Sequence, residues 1–162
     1  MKTRDVVVGF LVLVVLIAGI LLAKNSKKNN VLNLPSPTPS ISQRITEKFG
    51  GITVPSNADK ADLVTVAGGS GIGEAIRVFE NGKFELTVLT DLPQPSNGYF
   101  YQAWMGNGTI FISLGKLNLA KGGYFIDFTS TKNYSDYKKI VVTVEKVFDQ
   151  KAEEKVLEGS FN

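Results

Sequence analysis

Cysteine and histidine are both absent from this 162-residue chain. Without cysteine there is no disulfide and no thiolate nucleophile. Without histidine the usual general base and the commonest transition-metal ligand are missing. A carboxylate-only calcium site would need a D-x-[DN]-x-[DN]-G loop, and none occurs. The acidic stretch DQKAEE (Asp149–Glu154) reads as a solvated loop instead. The expected cofactor and metal content is therefore none. A basic excess is also missing from most of the chain. Residues 1–58 carry seven Lys/Arg and two Asp/Glu, or +5, while residues 59–162 carry eleven and thirteen, or −2. The part beyond residue 58 has no field to attract a phosphate backbone, so nucleic acid is not an expected partner.

Charge is absent altogether from Val6 to Ala23, VVVGFLVLVVLIAGILLA, over eighteen residues. As a helix this run spans roughly 27 Å at about 1.5 Å per residue, close to a hydrocarbon core of about 30 Å. It is longer than a signal-peptide apolar region and has no small-x-small cleavage site, since Leu21 stands two places before Ala23. A single-pass anchor is expected at 6–23, behind a short tail at 1–5. The flanking charges (Lys2, Arg4 and Asp5 before, Lys24, Lys27 and Lys28 after) are nearly balanced and do not fix its orientation.

Residues 24–39 are polar, with Pro35, Pro37 and Pro39 alternating with Ser and Thr. Such a segment favours extended polyproline geometry and serves as a semi-stiff spacer. A short amphipathic helix is predicted over 40–50. Ser40 and Gln43 form a capping box, Ile41, Ile45 and Phe49 share one face, and Gly50 stops it. That stripe is expected to dock on the domain that follows rather than on lipid.

From Leu63 the pattern changes to period two. EAIRVFE and KFELTVLT flank Asn81-Gly82, a strong two-residue hairpin signal. YFYQAWM, TIFISLGKL, YFIDFTS, KKIVVTVEKVF and KVLEGSF follow as further strands. About eight strands in this length predict an all-β domain over 59–162, an antiparallel β-sandwich of seven or eight strands.

One stretch points elsewhere. AGGSGIG (Ala67–Gly73) looks like the phosphate turn of a short-chain dehydrogenase, and Tyr134-x-x-x-Lys138 looks like its catalytic pair. A dinucleotide turn must open a helix of several turns, however. Here only Glu74–Glu80 precede the hairpin, and they alternate as a strand. The glycine spacing G-x-x-G-x-G is also one residue short. An NAD(P)-binding oxidoreductase is kept only as a remote alternative, and no catalytic residue is assigned.

Other motifs fall in a familiar order. Leu92-Pro93 precedes Tyr101-Gln102-x-Trp104, Gly115 follows Leu114 in ISLGKL, Val142-Thr143-Val144-Glu145 comes next, and Gly159 lies in VLEGSF. From about Ala67 to Phe161 this arrangement resembles the extracytoplasmic domain of anti-sigma-K factors of the RskA type. The resemblance implies a β-sandwich module placed outside the membrane. Two departures stand out. The family's glutamate is typically followed by a Pro- and Gly-rich turn, whereas Glu145 is followed by KVFDQKAEEK. With five residues ahead of the anchor, the cytoplasmic sigma-binding domain of such regulators is not expected here.

Period two puts Trp104 and Tyr101 on opposite faces of one strand. Trp104 is expected in the core. Tyr99 and Tyr101 then share the other face, and with Tyr124, Tyr134 and Tyr137 they form a candidate exposed aromatic patch for a glycan or peptide; the competing reading is intersheet packing. The expected role is a membrane-anchored, non-catalytic module for sensing or protein interaction at the cell envelope, with a protein partner. A structural or adhesive module binding cell-wall material is the alternative.

Overall fold

The computed structural model describes residues 38–66 and 68–162. Among the described residues no helix is long and apolar enough to cross a membrane. The anchor expected at 6–23 and nearly all of the spacer lie outside them. Residues Pro39–Asn162 form one compact unit of one helix and nine strands.

The helix α1 spans Ile41–Phe49. Its capping box is present: Gln43 N–H donates to Ser40 Oγ at 3.2 Å and Ser40 N–H to Gln43 Oε1 at 2.8 Å. These bonds satisfy amide donors that the first turn would otherwise leave open. Gly50 ends the helix, its N–H returning to Thr46 O. Ile45 and Phe49 are buried and meet Ile76 and Leu89 in a small apolar cluster.

The strands are β1 (Asp59–Thr65), β2 (Ile72–Glu80), β3 (Lys83–Asp91), β4 (Phe100–Gly106), β5 (Phe111–Lys116), β6 (Asn118–Ala120), β7 (Gly123–Ser130), β8 (Lys139–Glu145) and β9 (Glu154–Ser160). They pair antiparallel in the order β5-β4-β8-β9-β1-β2-β3-β7-β6. The β2–β3 hairpin closes at Asn81-Gly82 as predicted, with φ of 52° and 74° and Glu80 opposite Lys83. Both positive values fit a type I′ turn.

The all-β antiparallel expectation holds, but the layers are not two separate sheets. They are halves of one continuous, nearly closed sheet. Two corners make it so, each a strand that changes partners, as in orthogonal packings. Residues 59–63 of β1 pair with β2, and Val64 and Thr65 then pair with β9. On the other side β5 pairs with β4, and the chain crosses at Gly115–Leu117 to pair with β7 as β6. Gly115 takes a φ of 123° there, and Leu117 N–H still donates to Tyr101 O at 2.9 Å. The stretch TIFISLGKL, read from sequence as one strand, is thus two.

The core lies between the halves. Ala61 and Leu63, Phe84, Leu86 and Val88, Tyr101, Ala103 and Met105, and Ile140 and Val142 point inward at alternate positions. At one end Arg77 closes the core. Its guanidinium lies 4.0 Å from the centre of the Phe161 ring, donates to Tyr137 O at 3.1 Å and pairs with Asp59 at 3.1 Å.

The dehydrogenase alternative fails at Ile72. The glycine turn leads into β2, which pairs antiparallel with β3. No helix stands where a dinucleotide would need one.

Candidate functional site

The motif residues gather on β4 and β8 and divide between two faces of that half of the sheet. On the inner face Tyr101 is 5 % exposed. Its hydroxyl donates to Pro93 O at 3.1 Å, and its ring meets Tyr124 edge-on with centroids 5.0 Å apart. Leu92 is buried beside it in the same core. Leu-Pro and Tyr are therefore two ends of one fastening that fixes how the chain enters β4. Burial pushes the Tyr101 phenol above its ordinary pKa of 10.0, and the neighbouring Tyr124 adds to the rise.

On the outer face Gln102, Trp104, Thr143 and Glu145 are all at most 1 % exposed. Trp104 Nε1–H donates to Thr143 Oγ1 at 2.8 Å, and Thr143 Oγ1–H to Gln102 O at 3.3 Å. The Gln102 amide donates to Ser113 Oγ at 2.9 Å and to Asp149 O at 3.2 Å. The Glu145 carboxylate accepts the Glu153 N–H at 3.0 and 3.2 Å. Glu153 in turn accepts the Lys146 N–H at 3.0 Å. These bonds hold the β8–β9 connection, Lys146–Glu153, down over the sheet. Gln150 and Ala152 of that connection border a hollow of about 90 Å³ beside Trp104 and Val141.

The connection carries two apolar side chains outward. Val147 is 56 % exposed and Phe148 60 % exposed. The Phe148 ring lies 6.3 Å from Phe100, and Lys116 Nζ lies 4.3 Å from the centre of the Phe100 ring. Tyr99, 41 % exposed, adjoins Phe100. A polar fastener beneath thus presents an aromatic surface above.

The sequence expectations for this face need correction. Trp104 is buried, but under the β8–β9 connection and not in the core between the halves. Tyr101 takes the core position. The five tyrosines do not form one exposed patch. Tyr101 and Tyr124 pack together in the core, and Tyr134 and Tyr137 pair edge-on at 5.2 Å, with Tyr134 also against Phe84. Tyr99 alone of the five is exposed. Period two separates faces but does not say which is inner when both are covered. The aromatics that the sequence reading missed beside Tyr99 are the half-buried Phe100 and the exposed Phe148. The signal for Phe148 was Val147-Phe148 beyond the end of a strand, in an otherwise charged segment.

The remaining motif positions are structural. Val142 is in the core and Val144 packs at its margin. Gly115 makes the corner. Gly159 lets β9 approach β1 so closely that a Cβ there would sit 2.2 Å from Asp62 O.

Chemically, the buried cluster directs its donors inward to backbone and side-chain acceptors. Among the described residues no group of three or more carboxylates is placed to hold a metal ion. Among the described residues, three surface depressions, bordered by β2–β3, by Trp104 and by β9, measure about 190, 90 and 240 Å³. All are smaller than the ~300–1,000 Å³ of small-molecule sites.

Comparison with protein families gives a match over residues 6–153 to the C-terminal domain of anti-sigma-K factor RskA. The match covers most of the chain, and the chain belongs to that family. It is an anti-sigma-factor-like domain, of a regulatory rather than typically catalytic family, with a protein-interaction role. Comparisons with curated proteins and with solved structures give no significant match.

Proposed function

We propose that this member of the RskA C-terminal family is a membrane-anchored module that lies outside the cytoplasm and senses or binds a protein partner at the cell envelope. Its contact surface is Tyr99, Phe100, Val147 and Phe148. One observation carries the proposal: two large apolar side chains stand in water on a connection held from below by a buried hydrogen-bond network. Exposed apolar groups cost free energy unless something covers them, and a rigid support lowers the ordering cost of binding. The anchor is supported by the charge-free run at 6–23, which the family match includes.

Two measurements on the full chain in its native membrane test the proposal. The chain has no cysteine, so Lys146→Cys supplies a single thiol. A membrane-impermeant maleimide should label it in intact cells, and labelling only after lysis would overturn the placement. A photoreactive phenylalanine analogue at position 148 should give a discrete protein adduct. Adducts with cell-wall material alone would favour the adhesive reading instead.

A further inference from the structure

α1 is attached to the sheet differently from every other element. Among the described residues no backbone hydrogen bond joins Thr38–Ala58 to a strand; the backbone bonds of this segment close within it. The attachment is by side chains alone. Ser42 Oγ–H donates to Glu74 Oε1 at 2.8 Å, and Lys60 pairs with the same oxygen at 3.3 Å. Lys48 pairs with Asp91, and Lys121 caps the helix by donating to Phe49 O. Ile45 and Phe49 fill a cluster with Ile76 and Leu89 that is separate from the main core.

We propose that α1 is a releasable strap. It opens from the outer face of β2 and β3 while the nine-stranded sheet stays folded. Four features make this a two-state element. A helix of nine residues is too short to persist alone in water, so docking and helix formation are one event. Gly50 and Gly51 follow it with φ of 54° and 72°; Ile52, Val54 and Ala58 beyond them pack against the same cluster, so the hinge is the glycine pair itself. The outward face carries Gln43, Arg44, Thr46 and Glu47, so the released segment is soluble. Docking also buries the Glu74 carboxylate to 3 % exposure, and release returns it to water. Nothing in the strand ladder has to break. Release withdraws Ile45 and Phe49 from Ile76 and Leu89 and so uncovers the part of this second apolar face that Ile52, Val54 and Ala58 do not cover. Release does not depend on where the chain lies relative to a membrane.

Native-state hydrogen exchange on the unaltered full chain tests it. Amides of Arg44–Gly50 should exchange at least about 100-fold faster than those of β4 and β8, through an opening that responds little to low denaturant. Thiol labelling then separates release from fraying. Leu89→Cys lies under the strap and Val88→Cys faces the core on the same strand. Position 89 should label at least about tenfold faster than position 88. Equal labelling at both positions, or helix amides exchanging only with the core and with its denaturant dependence, overturns the proposal.

Discussion

Thr143→Val isolates the link between β4 and β8. The side chains have nearly the same shape, so no cavity is made. What changes is the hydroxyl. Trp104 Nε1–H loses its acceptor at 2.8 Å, inside a site where Trp104 is 1 % exposed and Thr143 fully buried. A buried donor left without a partner costs about 1–3 kcal/mol. For a unit of this size each kcal/mol corresponds to roughly 4 °C, so the melting temperature should fall by about 4–12 °C. The assay is a melt of the full chain followed by circular dichroism at the β minimum. A double-mutant cycle with Trp104→Phe sharpens it. In the Trp104→Phe background Thr143→Val strands no donor, so its cost should shrink to less than about 1 kcal/mol. A Thr143→Val melt within about 1 °C of the parent, or equal costs in both backgrounds, would refute the fastener.

Further outcomes follow from other contacts. Gly159→Ala drives a Cβ to 2.2 Å from Asp62 O and 2.8 Å from Leu63 Cδ2, where backbone must move. A loss of roughly 3 kcal/mol or more is expected, visible as a greatly lowered urea midpoint. Tyr101 has a pKa raised above 10.0 in the folded chain. A raised folded value makes its contribution complete below the ordinary phenol pKa. With Tyr101 that contribution is lost as pH rises through the folded value, so Tyr101→Phe should flatten the alkaline side of the stability profile. The same variant should lose about 1 kcal/mol at neutral pH with the bond to Pro93 O. Glu158 has a lowered pKa because Lys139 hydrogen-bonds its carboxylate. Its contribution is present above the ordinary carboxylate pKa and lost as pH falls through the lower folded value. The group is largely in water, so Glu158→Gln should remove less than about 1 kcal/mol of that acid dependence. Ile45→Ala and Ile45→Ala/Phe49→Ala should cost the sheet nearly the same, because losses from α1 saturate once the strap is open; additive losses of about 2–5 kcal/mol each would contradict this.

Local signals in the sequence reached local structure well. The α1 boundaries are written in Ser40, Gln43 and Gly50, and the β2–β3 register is written in Asn81-Gly82, because each motif closes within a few residues. Long-range placement was harder to read. The first half of β1 escaped because the exposed charges Asp59, Lys60 and Asp62 mask the alternation of Ala61 and Leu63. The corner at Gly115 looked like the middle of a strand, since a change of pairing partner leaves the side-chain pattern intact. The inversion of Trp104 and Tyr101 has the same origin. β4 is covered on both faces, and its outer cover is a connection rich in Lys, Asp and Glu whose composition reads as solvated loop. Only the pairing of Gln102 and Glu145 with the backbone of that connection reveals it as a lid on the motif.

The proposed contact surface is tested by a photocrosslink from position 99, beside Phe100, with and without Val147→Ser/Phe148→Ser. Both substituted side chains are exposed, so the double variant should melt within about 2 °C of the parent. The protein adduct formed from position 99 should nevertheless disappear. An adduct that persists undiminished in a folded double variant would show that the partner, if any, docks elsewhere.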